Sequence, residues 1–160
     1  MNRRKILISA CLLGENVKYD GGNNALHVTI LERWKEEGIL VPICPEVLGG
    51  LSVPRLPCEV LKGTNRIVNR IGEDVSEAFE KGAQESLRIA QEAGVCMAIL
   101  KARSPSCGKD VIYDGTFTST RVKDSGVTCK RLQESGIVVF SEEELSLAEA
   151  FWLSKGKAPL

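Results

Sequence analysis

Residues 5–11 read KILISAC, a short apolar run (Lys5–Ala10) that stops at Cys11 and passes into Leu-Leu-Gly. The arrangement recurs at Ile39–Ile43 (ILVPI), which ends at Cys44, and at Cys96–Leu100 (CMAIL), which leads through a Ser- and Pro-rich segment to Cys107. Each run is short, continuously apolar and bounded by turn formers, the pattern of a strand buried on both faces. Side by side in a parallel sheet, the three runs deliver Cys11, Cys44 and Cys107 to the carboxyl edge, where open α/β sheets bind ligands. Three thiolates in one crevice leave a metal centre one protein ligand short.

Helical patterns alternate with these runs. Asn23 or Asn24 is placed to cap a helix over Ala25–Glu37, with Leu26, Ile30, Leu31 and Trp34 on one stripe and Gly38 at its end. After Cys44, the Pro and Gly of PEVLGGLSVPRLPCEV predict a long irregular loop. Residues 58–62 and 66–69 read as a small hairpin about Gly63-Thr64-Asn65, and Glu73–Ala93 as a helix closed by Gly94. Residues 101–126 are polar and without helical period, which in a compact chain marks a functional loop. A helix over Val127–Ser135, a strand Ile137–Phe140 and a helix Glu142–Leu153 complete the chain, with Ser141 and Glu144 spaced as a capping box. Strands alternating with helices predict one α/β domain over residues 1–160, a mainly parallel, Rossmann-like sandwich with a small β-hairpin insertion.

Composition narrows the function classes. At 160 residues and 43% hydrophobic content the chain is large enough for a real core, and its net charge is +0. Balanced charge argues against a nucleic-acid footprint and favours a small-molecule ligand. No stretch approaches a membrane span, and the apolar run after Arg3-Arg4-Lys5 is too short for a secretory signal. Six cysteines in a chain this rich in helical and strand period indicate a reducing, cytoplasmic setting rather than a disulfide scaffold. No CxxC pair occurs and His27 has no neighbouring ligand type, so a zinc-finger site is not encoded locally. Phe151 and Trp152 serve either core or interface, which leaves the oligomeric state open.

Four motifs in order, SACLLGENVKYDGG, CPEVLGGLSVPR, LKARSPSCG and IYDGTF, resemble the thiouracil desulfidase family over nearly the whole chain. That resemblance implies a 4Fe-4S cluster held by Cys11, Cys44 and Cys107. It also implies removal of sulfur, without net redox change, from a thiolated pyrimidine, with free base, nucleoside and thiolated tRNA all open to it. The residue chemistry agrees: three protein thiolates leave one iron open, and an open iron is a Lewis acid for a soft sulfur donor. A non-catalytic iron-sulfur or zinc-binding sensor or storage protein is the competing reading of the same thiols.

Glu46, two residues after Cys44, is the candidate general base, and Ser104 and Ser106 are candidates to orient the substrate or a proton. Lys101 and Arg103 either anchor an anionic substrate group or are solvated loop charges. Cys96 and Cys129 read as packing residues, whereas Cys58, beside a loop, stands open as a fourth ligand. The two Tyr-Asp-Gly triplets at Tyr19 and Tyr113 read as turn chemistry.

Overall fold

A computed structural model describes residues 4–156. In chain order the elements are β1 (Ile6–Ser9), a 3-10 turn (Ala10–Leu13), α1 (Thr29–Glu36), β2 (Leu40–Ile43), α2 (Pro45–Leu48), β3 (Cys58–Val60) and β4 (Ile67–Asn69). Then follow α3 (Ser76–Ala93), β5 (Met97–Leu100), β6 (Ile112–Tyr113), β7 (Arg121–Val122), α4 (Val127–Glu134), β8 (Val138–Ser141), a second 3-10 turn (Glu142–Glu144) and α5 (Leu145–Gly156).

The main sheet is parallel throughout, in the order β2-β1-β5-β8. Period-two alternation divides its side chains between two cores. Leu7, Ala98, Leu100 and Val139 face Ala90 of α3 and Cys129 and Leu132 of α4. Ile6, Ile8, Met97, Ile99 and Phe140 face Leu31 and Trp34 of α1 and Ala148 of α5. Helices thus cover both faces, which is why β1 and β5 are buried at every position. Phe151 and Trp152 join the second core, Trp152 edge-on to Trp34 with ring centroids 6.2 Å apart. The hairpin β3-β4 is antiparallel and shares a third cluster, Val60, Ile67, Phe79 and Ile112, with α3 and β6.

Several boundaries depart from the sequence pattern, each for a local reason. The helix expected over Ala25–Glu37 starts only at Thr29, with Val28 at its N-cap. Asn23 instead accepts the Ala25 N–H at 3.0 Å, and Asn24 turns its amide toward Cys11. Short polar side chains compete in this way with helix formation. The segment after Cys44, expected to be irregular, opens with one helical turn, α2, because Pro45 occupies N1, where a missing N–H is no loss. Helix α3 begins at Ser76 rather than Glu73, since Glu73 is held in a turn by Asn69 through its N–H (3.0 Å) and its carboxylate (2.9 Å). Residues 101–126 contain the two-stranded ladder β6-β7. The Ser141–Glu144 capping box is present, but it opens a 3-10 turn before α5 continues to Gly156.

Candidate metal centre and active site

The carboxyl ends of β1, β2 and β5 are level, with Ser9 opposite Ile43 and Ile8 opposite Ile99. Because β2 and β5 lie on opposite sides of β1, the sheet order reverses there, at a switch point where open α/β sheets hold ligands. A cavity of about 620 Å³ opens at this edge, and every candidate residue lines it: the three thiols, Glu46, Lys101, Arg103, Ser104 and Ser106.

The three sulfurs are surrounded by donors. Asn24 Nδ2 donates to Cys11 Sγ at 3.5 Å. Ser9 Oγ accepts the Lys101 N–H at 2.9 Å, which leaves its single proton for Cys107 Sγ at 3.4 Å. Cys44 heads α2, where the N–H groups of Val47 and Glu46 favour its charged form. Burial dominates all the same. It pushes the Cys11 and Cys44 thiols up and the Cys107 thiol up to about 12, against the pull of these donors. Unligated, the thiols are therefore neutral, and a bound metal displaces their protons.

Soft sulfur donors, each met by hydrogen-bond donors that favour the thiolate, fit a thiolate-ligated iron-sulfur group. Among the described residues no three Cys, His, Asp or Glu groups are gathered closely enough to hold a single metal ion, while the three thiols line one cavity. Cys58 also lines the cavity, and its thiol donates to the Leu56 carbonyl at 3.4 Å, as that of Cys44 does to the Val17 carbonyl at 3.9 Å. Burial, reinforced by the Glu46 charge and opposed by that of Arg55, pushes the Cys58 thiol up to about 11. Cys129 is buried among the first-core residues, and Cys96 packs against the second core just before β5.

Glu46 is gripped at both oxygens: Arg55 Nε donates to Oε1 at 3.0 Å and Ser106 Oγ to Oε2 at 3.1 Å. Ser106 spends its proton on that carboxylate, so at the 3.0 Å contact between the two hydroxyls it is Ser104 that donates. Ser104 Oγ in turn accepts the N–H groups of Ser106 (3.1 Å) and Cys107 (3.0 Å), fixing the turn that presents Cys107. The head of α4 secures this turn from below, with the N–H groups of Thr128 and Cys129 on the Ser106 carbonyl at 2.9 and 3.2 Å.

Lys101 and Arg103 line the wall already partnered, with Glu142 (2.8 Å) and Glu143 (2.9 Å) of the second 3-10 turn. Both triplet aspartates make turns, Asp20 accepting the Gly22 N–H and Asp114 the Thr116 N–H, each at 2.9 Å. Tyr19 and Tyr113 nevertheless line the cavity, which the turn reading alone did not anticipate. Ser9, Asn24 and Arg55 are site residues that the sequence pattern missed. Ser9 reads as a strand residue and Asn24 as a cap, and only the position of Arg55 within CPEVLGGLSVPR marked it.

Three thiols at a switch point, with a carboxylate fixed beside them, are what a thiolate-ligated metalloenzyme of the α/β class needs. The chain belongs to the 2-thiouracil desulfurase family, whose sequence model matches residues 6–144. It is 42% identical over 149 residues to the uncharacterized protein YbbK of Bacillus subtilis (strain 168), covering 88% of this chain and 97% of that protein. Its fold is similar to that of the 4Fe-4S-dependent thiouracil desulfidase TudS (DUF523Vcz), with a TM-score of 0.89 and 40% identity over 94% of this chain and 99% of that one. The expectations of family and of a parallel α/β fold are both borne out.

Proposed function

We propose that this chain is a 4Fe-4S-dependent desulfidase that exchanges the thiocarbonyl sulfur of a thiolated pyrimidine, such as 2-thiouracil, for the oxygen of water. The observation that carries this reading is the convergence, in one cavity, of three donor-met thiols and a carboxylate held at both oxygens. Cys11, Cys44 and Cys107 would hold the cluster, which, bound by three protein thiolates, would supply a Lewis acid suited to soft sulfur.

The chain's own groups handle the protons. Water oxygen ends on the pyrimidine carbon, the sulfur leaves as sulfide with the water's protons, and no electrons are exchanged. Glu46 takes a proton from the water. Held by Oε2, that proton is donated to Ser106 Oγ, and the Ser106 proton, freed from the carboxylate, turns to Cys107 Sγ at 3.7 Å, because both lone pairs of Ser104 Oγ are taken by backbone N–H groups. Lys101 and Arg103 border the substrate space, and an anionic substituent competes there with Glu142 and Glu143. A small base or nucleoside suits a 620 Å³ cavity, and no described helix is long and apolar enough to cross a membrane. Six free cysteines, three of them ligands, fit a reducing cytoplasm.

The test is Glu46→Gln loaded with cluster without oxygen. It is expected to keep the iron and sulfide content of the parent and to lose about 100-fold or more of sulfide release from 2-thiouracil, the scale of a lost acid-base group. Parent turnover in a fully loaded Glu46→Gln chain sinks the role of Glu46.

A further inference from the structure

Arg55 lies in the loop between α2 and β3 with its side chain only 7% exposed, and it is the guanidinium bonded to Glu46. All three of its nitrogens are engaged. Nε donates to Glu46 Oε1 at 3.0 Å, Nη1 to the Ser52 carbonyl at 3.1 Å, and Nη2 to the Val17 carbonyl at 2.8 Å. Its backbone N–H adds a bond to the Tyr19 carbonyl at 2.7 Å. One residue therefore ties the carboxylate to the loop after the first 3-10 turn, which carries Val17 and Tyr19 on the cavity wall. Lys101 and Arg103, the other cations treated as site candidates, are paired with Glu142 and Glu143.

We propose that Arg55 is the positioning residue of this site, a planar clamp that fixes the Glu46 carboxylate and the Val17–Tyr19 wall in one frame. The inference rests on the desulfidase reading and on the role of Glu46 in it. Geometry supplies the reason for a guanidinium. Three acceptors in different directions match its fork of donors, whereas a lysine ammonium is a point charge that cannot span them. With Arg55 removed, Oε1 loses its partner and Glu46 is held by Ser106 alone, so the carboxylate gains rotational freedom in a site where about 1 Å of misplacement costs roughly 100-fold.

The experiment compares Arg55→Ala, Arg55→Lys, Glu46→Gln and the Arg55→Ala/Glu46→Gln double variant. Each is loaded anaerobically, assayed for iron and sulfide content, and then tested with 2-thiouracil. Arg55→Ala is expected to keep its cluster and lose about 30-fold or more in kcat with KM changed by less than about 3-fold, the split expected of a group that acts on the chemical step. Added guanidinium ion is expected to restore about 10-fold of that loss, while ammonium is not. In the Glu46→Gln background the same change is expected to cost less than about 2-fold more, because residues acting as one unit are not additive.

On the cluster-free chain, amide exchange at position 55 is expected to accelerate in Arg55→Ala, since the guanidinium bonds to Ser52 and Val17 that steady the loop around that N–H are lost. Parent kcat in loaded Arg55→Ala, a loss that multiplies with that of Glu46→Gln, failure of guanidinium to restore rate, or unaltered exchange each overturns the clamp. Should Arg55→Ala not fold, Arg55→Lys decides: a 10-fold or greater fall in kcat is expected, and parent kcat overturns it. A slow Glu46→Gln beside a fast Arg55→Ala removes the clamp alone, whereas a fast Glu46→Gln removes the Glu46 reading and the clamp with it.

Discussion

Gly82→Ala tests how the fold sets the site. Helix α2, which carries Glu46 and follows directly on Cys44, lies against α3 through two glycines. A Cβ on Gly82 meets the Pro45 carbonyl oxygen at 1.9 Å, and a Cβ on Gly49 meets the Ala78 oxygen at 2.0 Å. Both obstacles are backbone, so no rotamer change relieves them. Contacts under 3.0 Å are essentially never made by a real Cβ, and α2 must therefore retreat by about 1 Å. Helix propensity opposes this, since alanine is better than glycine in a helix interior by about 1 kcal/mol. Overpacking typically costs about 1–3 kcal/mol, and an obstacle of backbone that no rotamer relieves belongs to the upper part of that range, about 2–3 kcal/mol, so the contact wins by roughly 1–2 kcal/mol. For a chain of this size that lowers Tm by about 2–8 °C. The same displacement moves Glu46, and turnover falls by about 100-fold. Thermal unfolding of the cluster-free chain and anaerobic sulfide release from the loaded one measure the two effects. An unchanged or raised Tm with parent turnover refutes the backbone contact and the placement of Glu46 that depends on it.

Two further outcomes follow from the thiols and the carboxylates. Serine at Cys11, Cys44 or Cys107 is expected to abolish the visible absorption and iron content of anaerobically loaded protein, while alanine at Cys58, Cys96 or Cys129 retains both; loss of the cluster in Cys58→Ala makes that thiol a ligand after all. For Glu144, burial disfavours the charge, but the Ser141 N–H and Lys109 outweigh it and hold the carboxyl below its ordinary 4.5. A depressed carboxyl stabilises the fold above its unfolded value and loses that contribution as pH falls through the folded one, so Glu144→Gln is expected to flatten the acid limb of stability below about pH 4.5. Parallel acid limbs in denaturant titrations of the two chains would falsify that linkage.

Local periodicity was enough for the architecture. Continuous apolar runs ending at Cys11 and Cys44, with a third leading toward Cys107, mark parallel strands; β1 and β5 are buried at every position, whereas β2, read as buried, is an edge strand with Pro42 exposed. Strand ends in a parallel sheet share one edge, so the thiols were legible as a group before any coordinates. Where Asn23 and Asn24 precede α1, sequence pattern misled, since a side chain that caps a helix equally closes a turn or reaches a sulfur, and only the surroundings decide. Tertiary structure alone determined that Ser9 points its proton at Cys107, that Arg55 grips Glu46 from nine residues away, and that Cys58 faces the same cavity as a donor. These facts rest on which lone pairs and protons remain unspent once distant segments meet. Periodicity of two or 3.6 residues carries the face a side chain occupies; it carries nothing of the partner waiting there.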